Sequence, residues 1–158
     1  MMDKTTLSKC QGVKVRPENG VARGWFSQIR DEHLVMPIVD LDGVSDAGAM
    51  FLGSLVKQFK GFTNCGSLEQ ASRMFSGCKS LVGKIDILDS CTKLKQATRM
   101  FYSCSTQTPP EKCILPALED GKAMFRGSKN CCPRVLTEES FKCQSLVDGD
   151  LMFASTGV

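Results

Sequence analysis

Residues 65–104 read CGSLEQASRMFSGCKSLVGKIDILDSCTKLKQATRMFYSC, and one phrase is written in them twice. The first copy is Cys65, Leu68, Ala71, Met74, Phe75 and Cys78; the second is Cys91, Leu94, Ala97, Met100, Phe101 and Cys104. The copies stand 26 residues apart. A period between about 20 and 50 residues marks repeat architectures, in which each unit buries its apolar face only against its neighbours. The expectation is an α/β solenoid in which short parallel strands stack, with helical turns or short helices on the opposite side.

Working outward, the aromatic anchor recurs as Phe26, Phe51, Phe75, Phe101, Phe125 and Phe153. Four residues before the last five anchors sits a small residue: Ala47, Ala71, Ala97, Gly121 or Gly149. Three further back is an aliphatic one (Val44, Leu68, Leu94, Leu118, Leu146), and three further again Leu41, Cys65, Cys91, Leu115 or Cys143. The pattern divides the chain into an entry or capping segment, residues 1–22, and a repeat region, residues 23–158, of about five coils. Unequal steps between anchors place the insertions in loops. The last phrase runs out at Val158 with no polar capping unit after it. An apolar edge is therefore expected there, for a partner, a second copy or further chain to cover.

Spacings of three drift by about 60° per step around an α-helix, so Cys91, Leu94 and Ala97 cannot share one helical face. A short extended piece leading into a helical turn at Met-Phe-x-x-Cys fits better. Between phrases the period changes. In Leu81–Leu88, Leu81, Gly83, Ile85 and Ile87 alternate with Lys84 and Asp86, as in a half-buried strand. The stretches Leu34–Leu41 and Val56–Phe62 occupy the same slot, Pro109 and Pro110 break the fourth, and Cys131-Cys132-Pro133 opens an enlarged fifth.

Hydrophobic residues make up 42% of the 158 and charged residues 23%, the balance of a folded domain. The net charge of +3 comes without a basic run, so neither nucleic acid nor a membrane surface is implied as partner. No stretch of the N-terminus is apolar enough for a signal peptide, and none elsewhere for a membrane span. Nine cysteines suggest a disulfide framework at first, but the number is odd. Cys65, Cys78, Cys91 and Cys104 fall 13 residues apart, at equivalent places in successive half-units. That spacing reads as reduced, buried packing residues beside the core anchors Phe51, Phe75, Phe101, Phe125 and Phe153. The methionine before each anchor fills the same core.

Catalytic and cofactor chemistry finds little to stand on. No Cys-x-x-Cys occurs and His33 is the sole histidine, so no metal site is expected. Asp31-Glu32-His33 reads as a solvated turn rather than a base for a nucleophile. The acids Asp86, Asp89, Glu119, Asp120, Glu138, Glu139, Asp148 and Asp150 mostly recur in solvent-facing slots, and no glycine pattern for a nucleotide phosphate is present. No cofactor is expected. The adjacent thiols of Cys131 and Cys132 read as a loop pair with one side chain buried and the other exposed. Lys57, Lys60, Lys84 and Asp86, on the outer side of the strand slots, are the candidate binding residues.

The phrase Ala-x-x-Met-Phe-x-Gly-Cys-x-Ser-Leu, whole at Ala71–Leu81 and partial at Ala97–Cys104, resembles the BspA-like leucine-rich repeats. It is closest to the Met-Phe type of about 25 residues found in bacterial surface proteins and some phage proteins. The resemblance implies a leucine-rich-repeat solenoid that serves in adhesion or protein recognition without catalysis. For this short chain without a visible signal peptide, it implies a structural or protein-binding module in a larger assembly such as a phage virion, in the virion or the cytoplasm. A host-surface or glycan recognition module of the adhesin or tail-fibre type is the alternative. The expected partner is another protein or a second copy, met through the exposed sheet or the C-terminal edge.

Overall fold

The computed structural model describes residues 12–14, 18–79, 81–82, 86–88, 90–107 and 109–156, so most of the expected entry segment 1–22 lies outside it. Its regular elements are short. Seven strands are found: β1 (Gly12–Lys14), β2 (Val35–Met36), β3 (Ile38–Asp40), β4 (Gln58–Phe59), β5 (Phe62–Thr63), β6 (Cys113–Ile114) and β7 (Phe141–Lys142). All their pairings are parallel: β1-β3-β5, β2-β4 and β6-β7. Each paired strand lies 23 to 28 residues from its partner, the interval at which the phrase recurs.

The strand slots are broken where the sequence forces a break. Leu34–Leu41 forms two strands on either side of Pro37, which has no N–H to give a ladder. Val56–Phe62 is interrupted at Gly61, whose φ of 127° is open to glycine alone. The third slot departs from expectation. Leu81 and Val82 form bridges to Thr106 and Gln58, but Asp86–Leu88 is a 3-10 turn, with Ile87 and Leu88 both buried. Adjacent buried side chains are incompatible with the alternation expected of a strand through Leu88.

The phrases themselves lie side by side. Parallel bridges connect Val21, Asp46, Gln70, Gln96, Asp120 and Asp148 in succession, joining six phrases. The expected helical turn at Met-Phe is replaced by a chain of tight turns, and no α-helix occurs among the described residues. In the second phrase Met50, Leu52 and Ser54 donate to the carbonyls of Ala47, Ala49 and Phe51, each three residues back. The intervening N–H groups of Ala47, Ala49, Phe51 and Gly53 donate instead to Gln70, Ser72, Met74 and Ser76 of the next phrase. A helix would use every N–H internally; here alternate donors are spent between phrases.

This alternation needs left-handed backbone two residues before and two after each anchor. Ala49, Arg73, Arg99, Ala123 and Leu151 have φ between 51° and 59°, and Gly53, Gly77, Ser103, Gly127 and Ser155 take positive φ on the other side. Positive φ at the third position is the requirement of a type II turn. The spacing of three thus reflects successive four-residue turns rather than a helical stripe.

The core follows the columns read from the sequence. Phe51, Phe75, Phe101 and Phe125, with Met50, Met74, Met100 and Met124 before them, are wholly buried, and Val44, Leu68, Leu94 and Leu118 line the same interior. Phe153, in the last phrase, is only partly buried. A Cβ on Gly121 would collide with Cε of Met152, so the small residue four before an anchor here makes room for the next phrase's methionine. Cys65, Cys78, Cys91 and Cys104 are buried in the same core.

Candidate interaction surface

The candidate binding residues do not form one face. Lys57 is half-buried and its ammonium lies 2.5 Å from Oε2 of Glu32 in the preceding coil-length of chain. That hydrogen bond and charge hold the Glu32 carboxyl below its ordinary value. Lys60 is exposed at the bend after β4. Lys84 lies outside the described residues, and Asp86 opens the 3-10 turn instead of continuing a strand, its side chain also outside the description. Lys57 contributes to a groove of about 360 Å³ that it shares with Lys79, Thr106 and Gln107. Lys57 is already paired with Glu32 and the Thr106 hydroxyl donates to the Asn130 carbonyl, so Lys79 and Gln107 are the polar side chains of this groove left to meet a ligand.

Other candidates fall where packing explains them. The His33 side chain is 90% exposed and 3.9 Å from Glu32. No group of three or more His, Cys, Asp or Glu suited to a metal ion occurs among the described residues. Cys131 and Cys132 are both buried, so the expectation of one exposed thiol is corrected. Cys131 lies inward beside the Cys104 thiol and donates to the Lys129 carbonyl at 3.5 Å. Cys78 donates to the Phe51 carbonyl at 3.2 Å. Burial pushes the Cys78 thiol up to about 12 and Cys132 to about 11, and Cys104 well above its usual value. Cys143 behaves oppositely. A hydrogen bond from the buried Cys113 thiol favours its thiolate and lowers its pKa against the opposing effect of burial.

Five residues before the anchor lies a role that the sequence reading missed. Oδ1 of Asp46, Asp120 and Asp148 each accepts the N–H two residues on, at 2.9 Å, supplying a partner for the one donor that the turns and neighbouring phrase leave over. The signal was available as Asp-x-Gly and Asp-x-Lys at a fixed offset, a pattern typical of Asx turns. Cations then pair across phrases: Arg23 with Asp46 at 2.6 Å, Lys95 with Glu69 at 3.1 Å, and Lys122 with Asp148 and Asp150 at 3.8 and 3.7 Å.

By the rule of the earlier phrases, the N–H groups of Gly149, Leu151, Phe153 and Ser155 should cross to a following phrase, and among the described residues none of them finds an acceptor. Beside them Val147 is 86% exposed and Leu151 46%. A row of open donors flanked by apolar side chains is a template for strand-like pairing. Compared with known proteins, the chain matches no family model, no curated protein and no solved structure. Nor is any helix of the described residues long and apolar enough to cross a membrane.

Proposed function

We propose that the chain is a leucine-rich-repeat solenoid of the BspA-like kind acting as a non-enzymatic protein-interaction or structural module in a larger assembly. The observation that carries this reading is the pair of exposed apolar side chains, Val147 and Leu151, on the last described phrase. The parallel bridges at the repeat interval and the column of anchors support the architecture. The Ala71–Leu81 phrase supports the kinship, and with it the more specific assignment to a phage virion, with the cytoplasm as the other location. No catalytic residue or cofactor is assigned.

Fractionating the source material on a density gradient and quantifying the chain by mass spectrometry tests this reading. A fixed number of copies per particle or complex is expected; recovery solely as a free protein overturns it. A second reading, recognition of a host surface or glycan, is favoured by the groove of Lys57, Lys79, Thr106 and Gln107. Glycan-array binding that disappears in Lys57→Ala/Lys79→Ala supports that reading, and an array with no binding removes it.

A further inference from the structure

The residue two before each anchor is held in left-handed backbone, where glycine costs least. It is Gly24 in the first phrase and alanine in the second and fifth, Ala49 and Ala123. In the third and fourth it is Arg73, at φ 59°, and Arg99, at φ 54°, both exposed. The turn gains nothing from a long charged side chain there, so the contribution of these arginines lies at the surface.

Stacking of the phrases sets them among other cations. The Arg73 N–H donates to the Thr98 carbonyl at 3.0 Å, which puts Arg73 beside Arg99, and the Ser103 N–H donates to the Arg126 carbonyl at 3.0 Å. Arg99 lies over the Tyr102 ring, 5.7 Å from its centroid, so the residues two before and one after an anchor share one surface. Arg126 stands one after its anchor in the following phrase. Lys79 and Lys129, each four after its anchor, flank Ser105, which bridges Lys129 and donates its N–H to the Cys78 carbonyl. Lys79 also borders the groove described above. The segments that make this face, 72–79, 98–105 and 122–129, contain Arg73, Lys79, Arg99, Lys122, Arg126 and Lys129 and no Asp or Glu. All six cations are exposed. No two are adjacent in the chain, which is why the sequence shows no basic run. Lys122 is engaged by Asp148 and Asp150, at 3.8 and 3.7 Å, so the three arginines form the centre of the face.

The face is bounded. Glu69, Glu119 and Asp120 stand five or six before their anchors, and Asp120 accepts from the Thr98 hydroxyl at 2.8 Å where this acidic border meets the face. A nucleic-acid duplex or an anionic membrane carries negative charge over a broad area and would overlap the border at repulsive range. A short acidic stretch of polypeptide fits inside it, and each planar guanidinium can take a carboxylate through two parallel hydrogen bonds.

We propose that this face binds an acidic segment of a partner protein, with Arg73, Arg99 and Arg126 on successive phrases each taking a carboxylate. The proposal rests on the protein-interaction reading above and gives the partner its chemistry.

Fluorescence anisotropy of a labelled oligoglutamate peptide tests this, using the parent and two triple variants, each first shown by circular dichroism to melt like the parent. Arg73→Gly/Arg99→Gly/Arg126→Ala clears the face while glycine suits the left-handed turns. Lys60→Ala/Lys112→Ala/Lys142→Ala removes the same charge from exposed positions elsewhere. The parent is expected to bind the peptide at low salt and release it at high salt. The arginine variant should bind about tenfold more weakly or worse, and the lysine variant like the parent. A parent that does not bind, or equal losses in the two variants, overturns the proposal. So does tighter binding of an oligothymidylate or of phosphatidylserine vesicles, which would give the face to nucleic acid or to a membrane. If the proposal fails while the gradient experiment finds the chain in a particle, the assembly reading stands with a partner of another chemistry.

Discussion

The rings of Phe51 and Phe75 lie 5.3 Å apart with their planes 3° from parallel. They belong to an unbroken column from Phe26 to Phe153 in which successive centroids are 5.2–5.7 Å apart. Phe59 and Phe62 add edge-on contacts to both rings. Stacking at this separation contributes beyond the area that each ring buries.

Phe75→Ala is expected to cost about 3–5 kcal/mol, because it opens a cavity between two stacked neighbours in a fully buried column. Phe153→Ala, at a partly buried end with a stacked ring on one side, should cost less. Urea denaturation of the two variants checks the order; a Phe75→Ala protein as stable as the parent removes the column as a source of stability.

Arg99 is exposed and sits at φ 54°, two residues before its anchor. Arg99→Val should cost about 1–2 kcal/mol, because a β-branched side chain is strained in the left-handed region. Arg99→Gly should be neutral or better. Were the segment helical, glycine would instead cost about 1 kcal/mol. Thermal melts of the pair therefore decide between successive turns and a helix.

Ser128 occupies the column of Cys78 and Cys104, three after the anchor, and is 1% exposed with no partner for its hydroxyl. Ser128→Ala removes a buried, unsatisfied polar atom, so a gain of about 1 kcal/mol is expected. Ser54, in the same column, accepts the Val56 N–H at 3.3 Å, and Ser54→Ala should not share the gain. Chemical denaturation of both variants provides the comparison.

The thiols should divide by reactivity and by pH. Timed iodoacetamide alkylation followed by peptide mass spectrometry is expected to modify Cys143 first among the described cysteines, and Cys113→Ala should slow it by removing the hydrogen bond to its thiolate. Cys78, Cys104 and Cys132 are raised in the fold, so the unfolded chain loses their protons first. Their contribution is therefore complete below the ordinary thiol value near 9 and is lost as pH rises toward about 11 for Cys132 and about 12 for Cys78. Stability should fall over that interval, by about 1.4 kcal/mol per pH unit for each fully buried thiol. A melting temperature unchanged between pH 9 and 11 would contradict this.

Much of the arrangement was legible because it depends on one repeated covalent pattern. The phrase predicted which side chains share a column, and Met, Phe, Leu and Cys occupy those columns in the core. Alternation at Leu81–Leu88 misled, because Ile87 and Leu88 both find burial in a 3-10 turn. By sequence one of Cys131 and Cys132 reads as exposed, yet the chain after Lys129 folds both inward. As for the candidate surface, the sequence pointed to Lys57 but not to its ion pair with Glu32, a residue 25 positions away. The edge donors were invisible, since a backbone N–H leaves no mark on residue identity.

By itself the sequence determined the period and the contents of each column, because identical spacing places identical groups in equivalent environments. Only the tertiary structure decided how the phrase turns. Left-handed backbone at Arg99 and Ser103 is paid for by bonds to the next phrase rather than by either residue's preference. The same bonds made the edges: alternate donors that point across a junction are satisfied wherever a neighbour lies and open where none does.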